Sequence, residues 1–366
     1  MERADVVVVG LGAMGSAAAR SLGRRGIETV ALERFRVGHT RGSSHGPTRI
    51  FRLSYPEPEY VRMSVRALEL WRELEHDADE TLLVKTGGLD TGGDAERCAA
   101  SLSDVGVAHE WLDAEECERR FPGMAAPGRA LYQEDAGVCL AGRTVAAQVA
   151  LAAADGVDVR EEVEVLALRP RDDGVAVDTA TGPIEARVAI VTPGAWAKLI
   201  LAVPVTASLQ TVAYFSPTDE SHAWPTYIEW EDDGVAWYLV PAEGDAPGLK
   251  AGEHRPGRTV DPKEGPFYPD GPTIDRTAGF VRRRFPGLDP EPRAPEVCLY
   301  ELTPDEHFIL DREGSIVVGT GGSGHGFKFA PLLGEVLADL AEGRDPGLPQ
   351  GKFSLSRFAP AADVAG

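Results

Sequence analysis

Two glycine-rich stretches and one basic loop gather residue types suited to chemistry rather than packing. Gly10, Gly12 and Gly15 are spaced as GxGxxG directly after the apolar run 6–9 and before a helix-forming segment. In that pattern the first glycine permits a tight turn, the second lets backbone approach a pyrophosphate, and the third lets helix pack on strand. The helix N-terminus then offers free N–H groups and partial positive charge to a diphosphate. Glu33 ends the next apolar strand about twenty residues on, where a carboxylate can accept hydrogen bonds from a ribose. Strand, glycines, helix, second strand and acid point to a dinucleotide, FAD or NAD. An acid at the ribose position disfavours a 2′-phosphate.

The basic loop, residues 41–52, packs His45, Arg49 and Arg52 among Ser43, Ser44 and glycines in an otherwise acidic chain. Small residues let backbone approach a flat ring, and the cations suit an anionic ring or a carboxylate. The second glycine-rich stretch, 319–328, contains Gly322, Gly324, Gly326 and Lys328, follows an apolar strand and opens a helix. Its amides aim at an electron-rich group. The four cysteines, Cys98, Cys117, Cys139 and Cys298, have no CxxC and no metal-ligand spacing, so no metal is expected.

The elements that must position these residues follow from periodicity. Residues 6–9, 29–32, 188–191 and 316–318 read as strands covered on both faces, and 157–159 and 163–168 as further strands. Helices are expected over 58–76, 141–154 and 332–340, the first with Tyr60, Met63, Ala67, Trp71 and Leu74 on its core face. The similar hexapeptides at 119–124 and 283–288 read as helix stops with no repeat behind them, and an Ala- and Pro-rich tail follows Phe358. The result is an α/β chain with a Rossmann-type nucleotide-binding domain interleaved with a β-sheet-rich, α+β substrate domain. The first domain takes 1–84, 140–200 and 298–366; the second takes 85–139 and 201–297.

Composition narrows the partners. Fifty-eight acidic against 37 basic residues give a formal charge of −21, which repels nucleic acid and anionic lipid. No run approaches the roughly 18 apolar residues of a membrane span. Unpaired cysteines and a structured start suggest the cytoplasm.

Residues 41–52 (RGSSHGPTRIFR), 298–310 (CLYELTPDEHFIL) and 323–329 (SGHGFKF) together resemble the signature segments of the monomeric sarcosine oxidase and N-methyltryptophan oxidase family. That family lies within the FAD-dependent amino acid oxidases of the D-amino-acid oxidase group, and the resemblance runs from Val6 to about Leu340. It implies FAD attached through a thioether from Cys298 to the flavin 8α-methyl carbon. Arg52 and Lys328 match a pair that clamps the substrate carboxylate, with Tyr300 beside them. Lys250 matches a lysine that activates O2, and His45, Arg49 and His254 match basic active-site residues. Gly10, Gly12, Gly15, Glu33, Arg34, Ser43, Ser44, Val165, Gly324, Gly326 and Lys328 would line the cofactor.

The chain departs from the family at Pro47, where an Asp is usual, and at Gly322, which replaces a bulky aromatic and would enlarge or reshape the pocket. Either Tyr238 or Trp237 aligns with a pocket tyrosine. Trp224, Tyr227, Trp230 and Trp237 fit either core packing or a substrate wall. The implied activity is oxidation of a secondary or N-methyl amino acid to an imine, with O2 reduced to H2O2, by a monomer. Alternatives are a cyclic imino-acid or primary amino acid oxidase of a biosynthetic pathway, and, further off, an NAD-dependent dehydrogenase or an inactive flavin-binding module.

Overall fold

The structure is a computed structural model that describes residues 2–231 and 234–358; the tail after Phe358 lies outside the described residues. The chain forms two compact units, one of residues 1–44, 145–207 and 300–366, the other of 45–144 and 208–299. Residues 45–84, expected with the nucleotide-binding elements, cluster with the second unit. The reason is visible in the pairing: Thr48–Phe51 and Leu83–Lys85 both hydrogen-bond to Gly137–Leu140.

In the first unit, Glu2–Val9 runs parallel to both Gly182–Val191 and Thr29–Leu32. That central position explains four consecutive valines, since Val6 to Val9 are at most 4% exposed. Asp158–Arg160 extends the sheet beyond Thr29–Leu32, and Ile316–Thr320 joins it beside Gly182–Val191. The helices Ala13–Arg24 and Ala330–Glu342 pack closely, because a Cβ at Gly334 would lie 2.4 Å from the Ala17 carbonyl carbon. Among the described residues no helix is long and apolar enough to cross a membrane.

The second unit is built on a nine-stranded sheet whose centre is Thr206–Phe215, Leu249–His254, Ala236–Val240, Thr226–Trp230 and Gly88–Gly92 in spatial order. Strand alternation divides it into two faces. Ala213, Phe215, Tyr227, Trp237, Leu239, Leu249 and Ala251 point one way into an apolar cluster with Phe280, Val281 and Phe285. Trp237 stacks on Phe280 with ring centroids 5.1 Å apart. The core reading therefore holds for Trp224, Tyr227 and Trp237, and Trp230 lies on the other face.

The two similar hexapeptides do end helices, Ala114–Arg120 and Gly271–Arg284, in near-identical backbone conformations at Phe121 and Phe285. They also pack on one another, which their separation in sequence did not suggest. Gly287 donates its N–H to the Gly123 carbonyl at 2.9 Å, and Ala125 donates to the Arg284 carbonyl at 2.7 Å. A Cβ at Gly287 would lie 2.7 Å from the Gly123 Cα, so a side chain there strikes backbone. Gly287→Ala is expected to destabilise the protein by about 1–3 kcal/mol. Gly128→Ala, where a Cβ meets nothing within 4 Å, should stay within about 0.5 kcal/mol of the parent. Denaturant unfolding of the two variants checks both.

Candidate active site

Each unit carries its own group of candidate residues. In the first, Gly10 takes a left-handed φ of +88°, and a Cβ on Gly15 would lie 1.8 Å from the Gly10 carbonyl oxygen. Turn and helix can meet only because position 15 has no side chain. At Gly12 a Cβ would come within 3.1 Å of Ser44 Oγ, which accepts the Ala13 N–H at 2.9 Å. Glu33 is buried and accepts the N–H groups of Leu11 and Phe35, each at 2.9 Å. Burial works against its carboxylate, but His39, whose Nε2 lies 3.4 Å from Oε1, and then the bonds from Leu11 and Phe35 outweigh it, and its pKa lies below the ordinary value. Arg34 pairs with Glu164 at 3.1 Å, and Val165 is buried. A bare glycine cradle at a helix N-terminus, with a carboxylate at the next strand end, fits the pyrophosphate and ribose of an adenine dinucleotide.

The second glycine-rich loop belongs to the same unit. Gly326 lies 3.1 Å, Cβ position to Cα, from Gly322, and its other neighbour is Met14 of the first helix. Lys328 is buried and donates to the His325 carbonyl at 2.9 Å. Tyr300 is half-buried on the strand Arg293–Leu302. Glu301, absent from the sequence-level candidates, is buried and takes hydrogen bonds from Thr320 Oγ1 at 2.9 Å and the backbone amides of Gly321 and Gly322. A Cβ at Gly322 would lie 2.9 Å from Glu301 Oε1. The missing aromatic at 322 therefore does not open space there: the Glu301 carboxyl takes it up.

In the second unit the sheet's remaining face collects the chemistry. Cross-strand partners share a face, and the register runs Asp90, Ile228, Tyr238, Gly252, Val212 in one row. The next row holds Val240, Lys250 and Tyr214. Tyr238 thus shares a face with Lys250 while Trp237 lies in the core, and a Cβ at Gly252 would sit 2.6 Å from the Tyr238 hydroxyl. His254 pairs with Ala236 on the same face and is half-buried.

Lys250 is buried and donates from Nζ to the Thr48 carbonyl, which also accepts Arg49 Nη1 at 2.7 Å. Arg49 Nη2 donates to the His45 carbonyl at 2.7 Å. Burial first, and then Arg49, hold the Lys250 ammonium well below the ordinary lysine range. Cys298 lies two residues from Glu296, which accepts the Tyr214 hydroxyl at 3.0 Å. Burial pushes the Cys298 thiol up while Arg49 and Lys250 pull it down. Arg52, 7% exposed, donates from Nη1 to the Ser54 carbonyl and lies 3.7 Å from Asp90 Oδ1. Its guanidinium carbon lies 4.2 Å from the Tyr55 ring centroid and 5.1 Å from that of Trp230. Among the described residues no group of three or more His, Cys, Asp or Glu is placed to hold a metal ion.

Comparison with known proteins matches residues 5–340 to the family model described as FAD dependent oxidoreductase. The chain belongs to that family. It is 38% identical to a monomeric sarcosine oxidase of Streptomyces avermitilis, with 98% of each chain covered. It is 31% identical to an N-methyl-L-tryptophan oxidase of Salmonella heidelberg, covering 97% of this chain and 99% of the relative. Among solved structures it is similar to NikD, an unusual amino acid oxidase essential for nikkomycin biosynthesis, with a TM-score of 0.86, 28% identity and coverage of 97% and 98%. The protein is therefore an FAD-dependent oxidoreductase acting on amino acid C–N bonds, and the dinucleotide that fits the glycine cradle is FAD.

Sequence reasoning named residues of both units but passed over Asp90, Glu296 and Glu301. A signal existed for Asp90, a lone acid in a strand bracketed by Gly87-Gly88 and Gly92-Gly93. For Glu301 burial raises the carboxyl from the ordinary 4.5 to about 7. A carboxyl raised in the folded state gives its full stability below pH 4.5 and loses it as pH rises through 7. The decline is on the order of 3 kcal/mol. Glu301→Gln is expected to flatten the fall of unfolding free energy between pH 5 and 7.5, measured by urea titration at each pH.

Proposed function

We propose that this oxidoreductase oxidises the C–N bond of a secondary or N-methyl amino acid to an imine and passes the electrons to O2, releasing H2O2. The observation that carries the reading is one sheet face of the second unit that bears Asp90, Tyr238 and Lys250, with Arg52 against Asp90 and with Arg49 and Lys250 acting on Cys298. Family membership and two relatives named as oxidases of N-methyl amino acids support it.

Bound FAD supplies the two-electron acceptor. Gly10, Gly12, Gly15, Glu33, Arg34, Ser43, Ser44 and Val165 would hold its adenine side, and Gly324 and Gly326 its other side. Cys298 is proposed to carry the covalent link: burial holds its thiol above the ordinary value, but Arg49 and Lys250 oppose that and favour the thiolate.

Arg52 binds the substrate carboxylate. Among the described residues its hydrogen bonds all leave from Nη1, so Nε and Nη2 remain to form a bidentate pair. Lys328 is proposed as a second cation for the same carboxylate. A dry, fixed anion receptor selects an amino acid over a simple amine and orients the carbon that loses hydride. Tyr238, His254, Tyr300, Arg49 and His45 are proposed as further groups facing the substrate and ring. Lys250 acts electrostatically: negative charge growing on oxygen restores the ammonium that burial disfavours.

Peroxide release over sarcosine, N-methyltryptophan, pipecolate and proline tests the substrate class and separates the N-methyl from the cyclic reading. Turnover of none of these would overturn it. Cys298→Ser is expected to release all yellow colour to the supernatant on acid precipitation, whereas the parent keeps it in the pellet. Lys250→Met should slow reoxidation by O2 by at least about a hundredfold while anaerobic reduction changes far less; stopped-flow absorbance separates the two.

A further inference from the structure

Asp90 is nine-tenths buried and more, at 2% exposure, on the same sheet face as Tyr238. Its two oxygens are fully engaged. Oδ2 accepts Ser54 Oγ at 2.6 Å and Gln133 Nε2 at 3.0 Å; Oδ1 accepts Trp230 Nε1 at 3.2 Å and faces Arg52 Nη1 at 3.7 Å. Ser54 bridges the pair, since its hydroxyl also lies 3.3 Å from Arg52 Nη1. Gln133 in turn accepts the Leu53 N–H at 3.0 Å, which pins the backbone next to Arg52. Ser54, Gln133 and Asp90 are each at most 2% exposed, so this network is shut off from water.

The arrangement is one-sided. Asp90 and Ser54 meet the Arg52 guanidinium at Nη1 alone, while the Tyr55 and Trp230 rings lie against it. The Nε and Nη2 hydrogens meet no acceptor among the described residues. A guanidinium has a rigid fork, so fixing one edge and the plane also fixes the direction of the other edge.

We propose that Asp90 is a positioning residue for substrate recognition: it fixes one edge of Arg52 and turns the Nε–Nη2 edge toward the substrate carboxylate. This rests on the assignment of Arg52 as the carboxylate receptor. Asp90 touches neither substrate nor cofactor; it acts through Arg52 and sets how tightly, rather than how fast, an amino acid is oxidised.

A double-mutant cycle in the FAD-loaded enzyme tests it, with sarcosine as substrate and acetate as a non-reacting carboxylate followed by its perturbation of the flavin absorbance. Asp90→Asn keeps the shape and removes the charge. It should raise KM for sarcosine and Kd for acetate together by about ten- to a hundredfold, with kcat within about threefold. Added to Arg52→Gln, it should bring no further loss, since the two act through one contact. Effects that multiply, or an Asp90→Asn enzyme with parental KM beside an Arg52→Gln enzyme with a raised one, would overturn the proposal alone. Parental KM in Arg52→Gln would overturn the reading of Arg52 first. Should Asp90→Asn fail to yield folded flavoprotein, Ser54→Ala, which removes the bridging hydroxyl, is read by the same cycle.

Discussion

Charge inside a low-dielectric interior must be met by charge or by hydrogen bonds, and the second unit is organised around meeting it. Its sheet turns one face to aromatic and aliphatic packing and the other to Arg52, Lys250, Asp90 and Tyr238. The apolar face makes the polar one possible. Phe280, Phe285 and Trp237 hold the strands rigidly enough that buried cations keep one geometry. Among the described residues the cations are satisfied incompletely: Lys250 by a single carbonyl, Arg52 along one edge. That residual demand for negative charge is what an amino acid carboxylate or a reduced oxygen can answer.

The first unit meets a different constraint, the close approach of backbone to a diphosphate. Here the chemistry is done by absent side chains, at Gly10, Gly12 and Gly15, and by Glu33 buttressing the same turn. Glu33 has a structural part of its own, because its two oxygens join the turn after the first strand to the end of the second.

What could be read in the chain and what could not divides along sequence distance. The strand–glycine–helix unit is local, so its periods and glycines stood out, as did the buried face of Pro58–Ala78. Tyr238 and Trp237 could not be told apart, because deciding which faces Lys250 needs the register with Leu249–His254. Asp90 was out of reach for the same reason: its partners Ser54, Gln133 and Trp230 lie 36, 43 and 140 residues away. The placement of residues 45–84 failed because strand pairing with Gly137–Leu140, not local pattern, decides it. Whether Gly322 enlarges or reshapes its surroundings also needed the fold, since only folding shows Glu301 beside it.

The interleaving has a consequence for synthesis. Residues 45–144 leave the ribosome long before 208–299, yet Gly88–Gly92 must pair with Thr226–Trp230, and the Gly123 turn must clasp Gly287. Until those later strands arrive, the early segment exposes an unpaired edge and the apolar side chains around Phe121. An open strand edge and uncovered apolar side chains are what make a partly folded chain prone to aggregate, so the interleaving lengthens the window of exposure during synthesis.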